Sequence, residues 1–406
     1  MVTTLTVDAL DHILDVLGQE RKDKWYQLTW SAEDALKACA LASSVLRVRA
    51  QYQLFLFVRL SRARRAARFR ETIERNPLLA ANVKELLVRA RTRGRLWLFK
   101  PSLTSLSSLL TLLPNLEHLI LSDVKYPEFS AHGSTLTNLY STLPSSVLGL
   151  TCVDCVFSDD AQLVDFLRAF PSTLRYLRIT NPEWPWQGLV AEEQSLVPEI
   201  APTTFTLLTA PQMAAMCPPS WPNLISPCNL TRLALTLSQK SADRWQAVLH
   251  AATNLCELHM CELRVPSDES YASLDLADLP DLCRVTACSW SRDSESWTAR
   301  SADPVSPFLR ILTTATSSRL KHAALDFRTF QMHRIDDTSW TNVKAGMRDV
   351  RWAHNRPSLA IGLYPVGDHD IWFDAKLRAE RYGHVIALHG ITGVSVDRRY
   401  PQVHGW

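Results

Sequence analysis

Cys152-Val-Asp-Cys155 is the one C-x-x-C of the sequence. Two thiols at that spacing can hold a soft metal or cycle between dithiol and disulfide. A zinc site needs a second ligand pair, and a redox site needs a βαβ setting. The other close cysteines, Cys256 with Cys261 and Cys283 with Cys288, are five residues apart. Buried structural thiols are therefore the expectation at 152 and 155. Histidines 354, 369, 384, 389 and 404 gather toward the end of the chain with no H-E-x-x-H or other compact ligand spacing, so no metal is expected. No G-x-S-x-G, G-x-G-x-x-G or G-x-x-x-x-G-K-[ST] occurs. The expectation is a protein without catalytic residues or cofactor.

Charge supplies a second candidate. The net charge is only +3, but between Arg59 and Arg95 there are eleven arginines and one lysine against three glutamates. The run Ser61-Arg-Ala-Arg-Arg-Ala-Ala-Arg-Phe-Arg70 reads as a basic helix stopped before Pro77. Such a face can bind nucleic acid or an acidic surface. The aromatic residues that would stack on bases are few, namely Phe69, Trp97 and Phe99, so a solvated helix face is the leading reading and nucleic acid an alternative.

The elements that would position any site follow two rules. Near the start, Leu10, Ile13, Leu14 and Leu17 recur at helical spacing, and a second helix begins near Asp34 with Leu36, Cys39, Leu41 and Leu46 among its apolar positions. From about residue 83 the spacing becomes L-x-x-L-x-L. Leu116, Leu119 and Leu121 set the pattern, and Val83-Leu86-Val88, Val147-Leu150-Cys152, Leu174-Leu177-Ile179, Leu230-Leu233-Leu235 and Leu255-Leu258-Met260 repeat it. Leu282-Val285-Ala287 and Leu320-Ala323-Leu325 are weaker copies. Five of the seven steps between copies are 25 to 33 residues, at the upper end of the roughly 20–29 residues of leucine-rich repeats. The 56-residue step from 174 to 230 holds nine prolines between Pro182 and Pro227 and reads as an insertion or a ruined repeat.

Helical patterns fall between the strands: Leu103, Leu106, Leu110, Leu113; Leu163, Phe166, Leu167, Phe170 after an Asp159/Gln162 capping box; and Trp245, Val248, Leu249, Ala252. One helix-and-strand unit cannot bury both apolar faces alone, but stacked units can. The predicted fold is an α/β protein, a helical module followed by an irregular leucine-rich-repeat α/β solenoid with one parallel sheet. Its expected domains are a helical module at 1–57, a basic connecting helix at 58–82, the solenoid at 83–339 with a Pro-rich insertion at 181–229, and a C-terminal cap at 340–406. Within that last part 340–354 reads as a helix, 358–364 as a strand and 383–396 as a strand pair. Residues between the buried leucines would form a concave partner-binding face: His118, Ile120, Tyr176, Arg178, Arg232, Glu257, His259 and Arg284. Aromatic and arginine side chains often anchor protein partners.

Leu5, Asp8, Leu10, Ile13, Leu14 and Leu17 in LTVDALDHILDVL, with Leu36, Cys39, Leu41, Tyr52, Leu54 and Phe55 downstream, resemble the F-box. Thr6 stands where that family has proline and Leu46 where many members have tryptophan. The whole arrangement is similar to the F-box-like proteins with degenerate leucine-rich repeats common in mushroom-forming fungi. The resemblance implies a substrate-recognition adaptor of a Skp–cullin–F-box ubiquitin ligase, docking a Skp-type adaptor protein through Leu5, Ile13, Leu14, Leu17, Leu36 and Leu41 and an unknown protein substrate through the repeats. The alternative is a repeat scaffold with a decayed F-box. No stretch of about 18 apolar residues exists to span a bilayer and no secretory pattern opens the chain, so no membrane partner and an intracellular place, cytoplasm or nucleus, are expected.

Overall fold

The computed structural model describes residues 6–23, 31–90, 106–125, 143–157, 166–167, 170, 173–180, 202–208, 225–236, 239–261, 274–290, 308, 311–312, 314–329, 358–365 and 394–395. The chain divides into two compact units. The first is Met1–Tyr176 with Thr180–Gly188, and the second is Leu177–Ile179 with Leu189–His404.

The first unit opens with three helices, α1 (Val7–Asp23), α2 (Ser31–Ala42) and α3 (Ser44–Leu56). The second helical pattern of the sequence is thus two helices. Ser43 breaks it, because its extended backbone and its Oγ, which accepts the Val45 N–H at 3.2 Å, cap a new helix. Leu14, Leu36 and Ala50 form the module's core, with Leu17, Cys39, Ala40, Leu46 and Leu54 packed around it. Asp15 ties α1 to α3: its carboxylate accepts Arg49 Nε at 2.8 Å, Arg49 Nη2 at 2.6 Å and Gln53 Nε2 at 2.7 Å. A Cβ at Gly18 would come within 2.2 Å of Gln53 Oε1, so a larger residue there displaces the Gln53 side chain from this brace.

The strands begin earlier than the leucine spacing suggested. β1 (Phe57–Leu60) lies within the segment read as helical module and basic connection, and it pairs in parallel with β2 (Glu85–Arg89). Val58 and Leu60 face Leu86 and Val88 in register, so Phe55-Val58-Leu60 is another copy of the repeat. Between the two strands run α4 (Ala63–Arg75) and α5 (Pro77–Ala81), with Pro77 in the first turn. The basic helix forms as expected. Good helix formers fill it, Arg70–Glu74 and Arg75–Glu71 pair at 2.6 Å one turn apart, and Ala66 and Ile73 anchor its buried side.

β2 continues in parallel to β3 (His118–Ser122) and β4 (Gly149–Val153). α6 (Leu106–Leu110) precedes β3 and buries Leu106, Leu109 and Leu110. The expected helix start at Leu103 and the capping box at 159–162 lie outside the described residues. Ahead of β5 (Tyr176–Thr180), the N–H groups of Arg175 and Tyr176 donate to Leu148 O at 2.8 and 3.0 Å. The second unit holds β6 (Thr204–Leu208), β7 (Arg232–Thr236), β8 (Glu257–Cys261), β9 (Arg284–Trp290), β10 (His322–Thr329), β11 (Ser358–Pro365) and β12 (Val394–Ser395), each parallel to the next. α7 (Gln239–Ala251) precedes β8 and buries Trp245, Val248 and Leu249.

Of the two readings of the Pro-rich stretch, the repeat holds and the bare insertion does not: Thr204–Leu208 is a strand in register with β7, which makes the 56-residue step two ordinary ones. The strand expected at 358–364 is β11, which pairs with β10 over eight residues and carries the sheet onward. The helix expected at 340–354 lies outside the described residues.

One device recurs that the leucines did not announce. The residue just ahead of the first apolar position ties back to the preceding repeat. Asn115 Nδ2 donates to Ala81 O at 2.9 Å, Ser146 Oγ to Pro114 O at 3.0 Å, and Asn254 Nδ2 to Cys228 O at 2.7 Å, and Arg319 pairs with Asp281 at 2.6 Å. Just past β3 and β4, Asp123 (φ 57°) and Asp154 (φ 51°) take the left-handed conformation that aspartate tolerates. Their N–H groups donate to Val153 O and Thr180 O at 2.9 Å.

Candidate functional site

The residues read as adaptor-docking separate into two groups. Leu14 and Leu36 are buried in the module's core and Leu17 packs against it, so these three close the fold rather than offer a surface. Ile13 (47% exposed) and Leu41 (84%) do face solvent. Sequence reasoning missed four companions, Val7 at 57%, Val16 at 53%, Val45 at 60% and Val48 at 76%. Ile13 and Val16 share one side of α1 at i,i+3, and Val45 and Val48 share one side of α3. The signal was present as surplus: the module has more large apolar residues than a core of three small helices can enclose. Leu5 lies outside the described residues.

The expected concave row also separates in two. His118, Tyr176, Arg232, Glu257 and Arg284 are the first residues of their strands. Among them Tyr176, Arg232 and Arg284 are exposed and the others half-buried. In the second unit Arg232, Glu257, Arg284 and His322 stand side by side in register, with Arg232 3.5 Å from Glu257. Ile120, Arg178 and His259 sit two residues further along and are less available. Ile120 is 5% exposed and clusters with Phe57 and Leu87, which corrects its reading as a contact residue. Parallel strands covered on both faces read as continuous apolar runs, as β2 and β3 do. His118 is held down as well: its ring lies over Gly149, where a Cβ would come within 3.0 Å of Cδ2, and its Nε2 pairs with Thr151 Oγ1 at 2.8 Å. His259 Nδ1 pairs with Thr286 Oγ1. The accessible surface is thus the rim where the strands start.

Elsewhere, Cys152 and Cys155 are buried, and burial followed by the hydrogen bond with Cys155 pushes the Cys152 thiol well up. Cys155 Sγ donates to Leu121 O at 3.5 Å, a tie between neighbouring strands, so this C-x-x-C packs and braces. At the N-cap of α4 and along it, Arg62, Arg64, Arg65 and Arg68 are exposed. Among the described residues no group of three or more His, Cys, Asp or Glu side chains could hold a metal ion. The C-terminal histidines lie outside them. No described helix is long and apolar enough to cross a membrane.

The parallel strands taken in chain order, with the L-x-x-L-x-L leucines buried beneath them, define each unit as a leucine-rich-repeat-like α/β array. No protein-family model matches the chain, and no curated protein matches it. Among solved structures, the crystal structure of an internalin from Listeria monocytogenes is similar at 11% identity and a TM-score of 0.29, over 82% of this chain and 94% of that one.

Proposed function

We infer that the chain is a non-enzymatic recognition protein: the strand-start rim captures a protein partner, and the N-terminal helices dock a Skp-type adaptor of a ubiquitin ligase. One observation carries the docking half. A module whose core is already filled by Leu14, Leu36 and Ala50 leaves Ile13, Val16, Leu41, Val45 and Val48 in water. Ile13 with Val16 and Val45 with Val48 each share one helix side, exposed apolar patches mark interaction sites, and docking faces are apolar at their centre with a polar rim. The mixed Tyr176, Arg232, Glu257 and Arg284 rim suits a protein partner, for which tyrosine and arginine serve as anchors.

The test is co-purification with a Skp-type adaptor. Binding by the wild-type chain, lost at least tenfold in a folded Ile13→Asp, Leu41→Asp double variant, is the expected result. No binding where a bona fide F-box binds removes the ligase reading. The scaffold with a decayed F-box then stands if partner capture still falls on Arg232→Glu with Arg284→Glu.

A second reading rests on Arg62 at the N-cap of α4 and on Arg64, Arg65 and Arg68 along it, all exposed: the helix contacts nucleic-acid phosphates. Its affinity would fall steeply with salt and vanish on changing these four to glutamine. Binding indifferent to that change discards it.

A further inference from the structure

Strand register brings together cysteines that the sequence keeps far apart. Cys261 and Cys288 are register partners across β8 and β9. One residue ahead of the Glu257–Arg284 pair in that register, Cys256 faces Cys283, and the Cys283 N–H donates to Cys256 O at 2.8 Å. Facing residues on neighbouring strands lie about 4.8 Å apart with side chains on the same side of the sheet. That falls inside the roughly 4.4–6.8 Å Cα separation that a disulfide spans. Both thiols are half-buried, unlike the enclosed Cys152 and Cys155. Burial and the neighbouring Cys283 push the Cys256 thiol up, with Asp281 and Glu257 adding to this and Arg319 opposing it.

We propose that Cys256 and Cys283 are an oxidisable pair, converted by hydrogen peroxide or another hydroperoxide into a disulfide that staples β8 to β9. Cys283 is the attacking group, because burial disfavours the Cys256 thiolate. The Cys283 thiolate sulfur takes the terminal peroxide oxygen, the O–O bond breaks, and the leaving hydroxide collects a proton as water. The resulting Cys283 sulfenic acid is attacked by Cys256 Sγ. The S–S bond forms, the S–O bond breaks and a second water leaves. Two thiols lose two electrons, and one peroxide becomes two waters. Arg319, paired with Asp281 at 2.6 Å beside the site, supplies positive charge as Cys256 gives up its proton.

The staple would join neighbouring repeats and close a loop between 256 and 283. In the unfolded chain that loop restricts conformational freedom, so the oxidised protein gains stability.

The experiment treats the full chain with hydrogen peroxide, blocks remaining thiols with N-ethylmaleimide, and digests it with trypsin without reductant. Cleavage after arginine places Cys256 and Cys261 on 245–264, Cys283 on 265–284 and Cys288 on 285–292. A cross-linked pair of 245–264 with 265–284 is expected in the wild type and in Cys261→Ser, and is absent from Cys283→Ser. The melting midpoint of the oxidised wild type should rise by about 5 °C over the reduced protein, with no rise in Cys283→Ser. Cys256→Ser serves as the second variant if Cys283→Ser already melts low when reduced. Recovery of Cys256 and Cys283 as maleimide adducts or over-oxidised acids without the cross-link overturns the proposal. So does a cross-link running only to 285–292.

Discussion

Asp15 carries more of the N-terminal module than its place on a solvent-facing helix suggests. The hydrogen bond from Arg49 first, and those from Gln53 and the charge of Arg49 after it, outweigh desolvation and hold its carboxyl below the ordinary 3.8. A carboxyl lowered by folding stabilises the native state above its unfolded value, and the contribution is lost as pH falls through the folded value. The module should therefore loosen on acidification below about pH 4, seen as a fall in the helical melting midpoint. Asp15→Asn should flatten that pH dependence. Because both side chains are more than a third exposed, at 40% and 38%, the pair contributes no more than about 1 kcal/mol. A melting profile of Asp15→Asn that follows the wild type at every pH would show the brace to be idle. Gly149 tests the sheet at the same scale. Gly149→Val drives a side chain into the His118 ring and should break the His118–Thr151 hydrogen bond, costing about 1 kcal/mol or more. Chemical denaturation and the ring-proton shifts of His118 read this out, and an unchanged His118 resonance would refute it.

Elements were readable wherever one period dominated. The leucine triplets at 116–121, 230–235 and 255–260 foretold β3, β7 and β8, and Trp245-Val248-Leu249 foretold α7, because burial on one side forces a regular spacing. β1 was hidden because Phe55-Val58-Leu60 runs directly on from the apolar end of α3, and so short a run fits either period. β6 was hidden by the prolines around Thr204–Leu208, which read as loop. The exposed group on α1, α2 and α3 was only half visible. Spacing says which residues share a side, while only packing says that Leu14 and Leu36 turn inward and Ile13 and Leu41 do not. The pairing of Cys256 with Cys283 had no local signature at all, since register joins residues 27 positions apart. The reading of an open concave face failed at Ile120 for a reason that can be measured. Leu87 lies on the side of β2 opposite Leu86, yet both are fully buried. Leu87→Ala should therefore destabilise as much as Leu86→Ala, by about 2–5 kcal/mol each. A sheet open to solvent at that point would lose far less at Leu87, and urea midpoints of the two variants distinguish the cases.

At the scale of the molecule, one rule serves both units: each strand bonds to the next one in the chain, and each repeat borrows its neighbour to cover its apolar flank. Stability in such an array is close to a sum of unit terms and nearest-neighbour terms, so it is not evenly spread. Inner strands such as β3 and β8 have a hydrogen-bonded partner on both sides and fully buried leucines at Leu119, Leu121 and Leu258. Among the described residues the helical module centres on Leu14, Leu36 and Ala50 and leaves six large apolar side chains in water. Opening a segment costs what its buried contacts are worth, and amide exchange reports that cost residue by residue. The amides of Leu119, Leu121, Leu258 and Met260 should thus be among the slowest to exchange, and those of α1 from Leu10 to Leu17 at least a hundredfold faster. Addition of a docking partner should slow the α1 amides selectively, because covering Ile13 and Val16 adds the apolar contact that the free module lacks. Exchange in α1 as slow as in β3 and β8 before any partner is added would mean the three-helix module is stable by itself, and its exposed apolar side chains would then need a different explanation from docking.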